Sequence, residues 1–162
     1  MNREAKRLLN NLLDMEVPVI GAVNGPAHIH AELALLSNIV IAAEDATFQD
    51  AAHFTLGIVP GDGCHVIWPA LLGPTRGSSF LLTGQVSNAS EAMAMGIVNE
   101  VVPRAQLMSR AWQLAEQIGA QPAAARRYSR ILLTQRMKQK LLEQLGHGLS
   151  VEALGILEQL QN

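Results

Sequence analysis

Residues 17–23 and 38–42 are short apolar runs with no polar alternation, and this constrains the fold more than any other feature of the chain. A strand that is apolar on both faces must be covered on both faces, so these runs predict buried, parallel-type strands inside an α/β architecture. Helical spacing surrounds them. Leu8, Leu9, Leu12, Leu13 and Met15 place an amphipathic helix at 3–15, ended by Pro18. Asn24-Gly25-Pro26 reads as a turn, 30–37 as a short helix, and 46–48 as a third, shorter strand.

Further along, helical spacing returns at 63–72, is broken at Gly73-Pro74, and resumes at 76–82. Asn88 with Glu91 forms a capping box for a helix at 89–95, and 98–102 is a strand ended by Pro103. Three helical stretches follow, at 104–119, 122–138 and 139–159, with interruptions at Gly119 and Gly146-His147-Gly148. The organisation expected is an α/β core over 1–103 and a helical region over 104–162 of the same domain.

Composition narrows the function classes. Half of the chain is apolar (49%) and only 16% is charged, which fits a packed globular domain and argues against disorder. A net charge of −2 gives no reason to expect nucleic acid or an anionic membrane as partner. Arg126, Arg127 and Arg130 read as a solvated helix face. Cys64 is the only cysteine, so an internal disulfide is impossible and a reducing cytoplasm is the simple expectation. No stretch is long and apolar enough to span a bilayer.

The segment 51–63 carries the chemistry. His53 precedes the turn Pro60-Gly61-Asp62-Gly63. A neutral imidazole can take a proton from water, and a carboxylate can fix its tautomer. From spacing alone His53 is equally a loop histidine and Asp62 a turn former. His30 follows the loop 24–27, with His28 two residues before it. Metal binding is not expected there, since no ligand partner stands nearby in sequence. Glu152 reads as a carboxylate at the start of a last helix, where the macrodipole favours it. Trp68 and Trp112 read as packing residues, and His65 and His147 as polar surface.

In chain order, Pro18-Val19-Ile20-Gly21-Ala22-Val23-Asn24-Gly25, Ala46-Thr47-Phe48, Leu56-Gly57-Ile58-Val59-Pro60-Gly61, Leu82-Thr83-Gly84 and the run from Ala94 to Pro103 resemble the crotonase (enoyl-CoA hydratase/isomerase) superfamily. The chain departs from the hydratases of that group. Their glycine-rich turn is replaced by His28-Ile29-His30-Ala31-Glu32, one residue shorter, and His53 stands where they carry a carboxylate. These substitutions, with Gln49-Asp50, His65, Trp68-Pro69, Arg76-Gly77 and Ala125-Arg126-Arg127-Tyr128, resemble the carbon–carbon bond hydrolases of the superfamily, the β-diketone hydrolases of the oxocamphor hydrolase type.

That resemblance implies a crotonase-like spiral of ββα units lacking its N-terminal strands, with a C-terminal helical region and assembly as a homotrimer or hexamer. It implies His53, Asp62, His30 and Glu152 as catalytic residues, with no metal and no cofactor. The expected reaction is retro-Claisen cleavage of a small apolar ketone, a cyclic β-diketone, by water activated at His53 with Asp62 as orienter. His30 would hold the oxyanion or enolate, Glu152 would support the water, and Glu32 would have a hydrogen-bonding role. Two alternatives stay open: a hydratase or isomerase acting on an acyl-CoA thioester, and an inactive crotonase-like remnant acting in assembly.

Overall fold

The computed structural model describes residues 2–161. Helix α1 (Asn2–Asp14) leads into strand β1 (Ile20–Val23), the two-residue strand β2 (Pro26–Ala27), helix α2 (Glu32–Leu35), and strands β3 (Ile39–Ala43) and β4 (Thr47–Phe48). A 3-10 turn at Phe54–Leu56 precedes helices α3 (Cys64–Leu72) and α4 (Pro74–Thr83). Strand β5 (Ser87–Asn88), helix α5 (Ala89–Ala94) and strand β6 (Glu100–Val102) complete the α/β part. Helices α6 (Leu107–Gly119) and α7 (Ala123–Gln161) form the C-terminal region.

The apolar runs form the parallel sheet they predict. Its order is β1-β3-β6, with Ile20 opposite Ile39 and Ile41 opposite Glu100. A second small sheet has the order β2-β4-β5, with β2 parallel and β5 antiparallel to β4. Pro26 and Ala27, read as turn, therefore pair with Thr47 and Phe48. Proline fits there because β2 is an edge strand with a side free of ladder bonds.

One face of the first sheet packs Ile41, Ala43 and Val102 against Leu107 of α6. The other contributes Val40 and Ala42 to a core with Phe48, Trp68 and Phe80. The Trp68 and Phe80 rings stack at 4.2 Å between centroids, so Trp68 is the packing residue expected. Trp112, by contrast, is 65% exposed. A third cluster joins α1, α3 and α7 through Leu9, Leu13, Ile67, Leu141, Leu145 and Leu149. The Asn88–Glu91 capping box forms as expected, each side chain bonding the other's backbone amide at 2.9 Å.

Two expectations fail on α7. It is one helix of 39 residues, with no break at 139 or at Gly146-His147-Gly148. Glu152 consequently lies well inside it. The glycines serve contact. A Cβ on Gly148 would lie 2.4 Å from the Gly61 carbonyl and 2.2 Å from the His65 ring, and a Cβ on Gly61 would lie 2.2 Å from the Gly148 carbonyl. Two bare backbones meet there, and the meeting brings α7 onto the loop that carries Asp62.

The second failure is Arg130, which is 1% exposed and belongs to no solvated face. Its guanidinium donates to the carbonyls of Leu12 (2.9 Å), Met15 (3.3 Å) and Leu36 (3.4 Å) and to the Asn38 side chain (2.9 Å). These carbonyls stand at the C-terminal ends of α1 and α2, where orphan acceptors and the negative dipole end favour a cation. Burial lowers its pKa from the ordinary arginine value.

Candidate functional site

A cavity of about 670 Å³ lies between α1, the loops before α2 and α3, and α7. Its apolar wall includes Leu8, Leu9, Ile58, Leu149 and Ile156, and its polar end holds His30, Glu32, His53, Asp62 and Glu152. All four residues singled out from the sequence therefore border one space. Glu4 and Asn11 also line it, and among the described residues no lysine or arginine does.

His53 is buried, 5% exposed. Its Nδ1 stands 2.6 Å from Asp50 Oδ1, and its Nε2 stands 3.4 Å from Asp62 Oδ2. This corrects the expected orienter. Asp50, three residues before His53 in the same loop, holds Nδ1, whereas Asp62 faces the other ring nitrogen. Asp50 is itself 4% exposed, and its Oδ2 is buried with no partner. The sequence reading gave Asp50 no role, because nothing in an irregular loop announces which carboxylate reaches a ring nitrogen. An aspartate three positions ahead of a histidine was the available signal.

The electrostatics follow from this geometry. Burial is the largest influence on His53 and disfavours the imidazolium. The hydrogen bonds and charges of Asp50 and Asp62 together outweigh it and raise the pKa to about 10. The two carboxylates thus favour the doubly protonated imidazolium at neutral pH over the neutral imidazole expected from the sequence. Asp62 answers in the opposite sense. Burial would raise its pKa, but the His53 hydrogen bond and charge hold it below the ordinary aspartate value.

His30 lies across Asp62 from His53, with its Nδ1 2.8 Å from Glu32 Oε1 and 3.7 Å from Asp62 Oδ2. It is the one non-glycine described residue with a left-handed backbone, φ 55°. Such a conformation costs on the order of 1–3 kcal/mol and persists where surroundings over-determine it. The Glu32 carboxylate, at the buried start of α2, is the clamp. Neighbouring His28 turns away and bonds Thr47 Oγ1 at 2.8 Å.

Glu32 is 2% exposed and its pKa is raised, by burial first, against the lowering effect of the His30 hydrogen bond. It also accepts a contact from Cys64 Sγ at 3.7 Å. Burial and the charges of Glu32, Asp62 and Asp50 push the Cys64 thiol well up, so it is a buried S–H donor and no nucleophile. Glu152 projects from the C-terminal third of α7. Burial, then the Asp62 charge, raises its pKa. Its Oε2 is buried with no hydrogen-bond partner among the described residues. His65 is a brace: its Nδ1 lies 3.0 Å from the Pro60 carbonyl while its ring touches Gly148.

Two trios have the atoms to hold a metal ion: Asp50, His53 and Cys64, and His30, Glu32 and Asp62, each with donor atoms within 4.8 Å of one another. The local-sequence argument against metal missed the second trio, since Asp62 arrives from a distant loop. Each trio already spends a short hydrogen bond, His53–Asp50 or His30–Glu32, that a cation would have to break.

This α/β architecture, with a catalytic-type cluster between a first-loop histidine, a second loop and a C-terminal helix, defines a class, and the chain belongs to it: the enoyl-CoA hydratase/isomerase family, or crotonase superfamily, whose sequence profile matches residues 1–154. Within that class the chain is similar to the β-diketone hydrolase of the cyanobacterium Anabaena, solved with (S)-3-oxocyclohexyl acetic acid bound. The two are 45% identical with a TM-score of 0.96, over 99% of this chain and 64% of that one. An enoyl-CoA hydratase of Mycobacterium paratuberculosis is 31% identical with a TM-score of 0.81, over 90% of this chain and 65% of its own. Carnitinyl-CoA dehydratase of Salmonella paratyphi A is 40% identical over 111 residues, 68% of this chain. The chain spans 42% of the length of that curated relative. Among the described residues no helix is long and apolar enough to cross a membrane.

Proposed function

We propose that this chain hydrolyses a carbon–carbon bond of a cyclic β-diketone by a retro-Claisen reaction. The observation that carries the reading is His53 between two carboxylates, at the polar end of an apolar cavity that His30 and Glu152 also border. The similarity to a β-diketone hydrolase over nearly the whole chain supports it.

In this reaction the base form of His53 keeps its proton on Nδ1, against Asp50, and offers Nε2. A water standing in the cavity beside Nε2 and Asp62 gives one proton to Nε2 while its oxygen bonds to one carbonyl carbon. Oε2 of Glu152 accepts a hydrogen bond from the water's second hydrogen, which stays on the attacking oxygen. The tetrahedral alkoxide collapses to a carboxylic acid, the carbon–carbon bond breaks, and its electron pair moves onto the second carbonyl as an enolate. His30 faces that oxygen. The His53 imidazolium then returns its proton to the enolate carbon. Water plus diketone thus becomes one keto acid, with no net change in oxidation state and no external oxidant. Positioned hydrogen-bond donors and a positioned base account for large factors in such a site, about 3 kcal/mol per donor and about 100- to 10,000-fold for the base.

Family membership and the 40% identical dehydratase favour a second reading, an enzyme of acyl-CoA thioesters. The two separate in one experiment. Purified protein is incubated with a bicyclic β-diketone and, separately, with an unsaturated acyl-CoA. Diketone cleavage that disappears in His53→Ala is the expected result. Turnover of the thioester alone replaces the first reading with the second, and turnover of neither by a folded protein removes both.

A further inference from the structure

We infer that Asp50 is a positioning residue of this site: by occupying Nδ1 of His53 it commits Nε2 to the reacting water. This rests on the proposed hydrolysis and extends it to a residue outside the four implied by resemblance.

The geometry carries the assignment. Asp50 Oδ1 and His53 Nδ1 are 2.6 Å apart, the shortest contact in the cluster, and both side chains are buried. Asp62 approaches Nε2 at 3.4 Å, longer than a good N–H···O bond, and is the more exposed carboxylate. The two carboxylates are therefore unequal. Asp50 grips its nitrogen at hydrogen-bond distance in a dry pocket, where such a bond is strong. Asp62 lies beside the nitrogen that borders the cavity and can share it with water. An imidazole held at Nδ1 has one tautomer left when it loses a proton, and that tautomer points Nε2 into the cavity.

The other groups facing His53 cannot substitute for Asp50. Asp62 comes from the loop before α3, Cys64 from α3 and Glu152 from α7; Glu152 acts on His53 only through its charge. Glu32, on α2, is engaged with His30 and Cys64. None of them bonds Nδ1.

The test is Asp50→Asn, which keeps size and an acceptor oxygen but removes the charge. It should lower the plateau kcat for the diketone by about 10-fold or more, since a less basic imidazole is a weaker general base. It should also move the ascending limb of kcat/KM, which rises as His53 loses its proton, at least one unit toward lower pH. The imidazole resonances of His53, assigned with a His53→Gln variant, should titrate with the same displaced midpoint in the absence of substrate. Asp50→Glu should bring the limb part of the way back. A limb and an imidazole midpoint left at their wild-type positions in Asp50→Asn overturn the assignment, even if kcat falls. A displaced midpoint with no diketone turnover in either protein strikes the proposed reaction and leaves Asp50's hold on His53 standing.

Discussion

At the scale of single residues, the histidines were legible and their partners were not. His53, Asp62, His30 and Glu152 border one cavity although they come from separate loops and a helix. The resemblance to the β-diketone hydrolases nominated the set, whereas spacing alone left His53 a loop histidine and Asp62 a turn former. The partner of each ring nitrogen depends on a side-chain direction within an irregular loop, where no periodicity constrains it, so Asp50 had to be found in space, and Glu32, expected to hydrogen-bond, found its partner His30 only there. The pairing has a consequence for stability. His53 has an ordinary pKa near 6.5 when unfolded and about 10 when folded. Below 6.5 both states hold the proton and the stabilisation is complete. Between 6.5 and 10 only the native state holds it, so stability falls as pH rises and the contribution is gone above 10. Asp62, whose folded value is lowered, contributes in the opposite window and loses its share as pH falls below the ordinary aspartate value. Urea unfolding at pH 6, 8 and 10 should therefore show wild type weakening toward alkaline pH, with a flatter course in His53→Gln. Parallel courses in the two proteins would contradict the pairing.

At the scale of elements, the buried strands and most helices could be read from apolar spacing, because burial on two faces leaves a strong pattern. The long helix could not. Glycine lowers helix propensity whatever its reason for being present, so Gly146 and Gly148 looked like a break when Gly148 is a contact. The two glycines now make opposite predictions. In an exposed helix Gly→Ala stabilises by about 0.8–1 kcal/mol. At Gly146 the nearest atom to a new Cβ is Lys6 Nζ at 3.1 Å, the end of an exposed flexible chain, so Gly146→Ala should gain stability. At Gly148 the obstacles are the Gly61 carbonyl and the His65 ring, and overpacking of this kind costs about 1–3 kcal/mol. Gly148→Ala should lower Tm, and it should depress activity as well, because α7 carries Glu152 only four residues further on. Equal Tm changes for the two variants would remove the contact argument. Arg130 belongs to the same scale. Its arginine type was visible, but the carbonyls it serves lie at the ends of α1 and α2, more than ninety residues away in sequence. Arg130→Lys should destabilise by about 2 kcal/mol or more in denaturant unfolding, since one ammonium cannot replace a planar fork that reaches four acceptors, and stranded buried acceptors cost about 1–3 kcal/mol each.

At the scale of the whole molecule, the net charge of −2 is modest, yet the cavity concentrates acid: among the described residues Glu4, Glu32, Asp62 and Glu152 line it without a lysine or arginine. A neutral diketone enters such a space without electrostatic penalty. A keto acid product does not, because its carboxylate meets like charges in a poorly screened pocket. Under the proposed reaction, cleavage would convert a tolerated ligand into a repelled one, and the groups that line the site would assist release. The two carboxyls with raised values, Glu32 and Glu152, make this repulsion adjustable. As pH falls toward their range they take up protons before an ordinary glutamate does, and a neutral carboxyl can donate a hydrogen bond to a bound carboxylate. His53 stays protonated from pH 5 to 8, so its attraction for an anion is constant across that interval. Inhibition by (S)-3-oxocyclohexyl acetic acid, the keto acid bound by the Anabaena relative, should consequently be tighter at pH 5 than at pH 8. Glu152→Gln should weaken that dependence by removing one of the carboxyls with a raised value. Binding that is independent of pH in the wild type, or that strengthens toward pH 8, would mean the carboxylates do not face the product, and the placement of Glu152 at the reacting end of the cavity would fall with it.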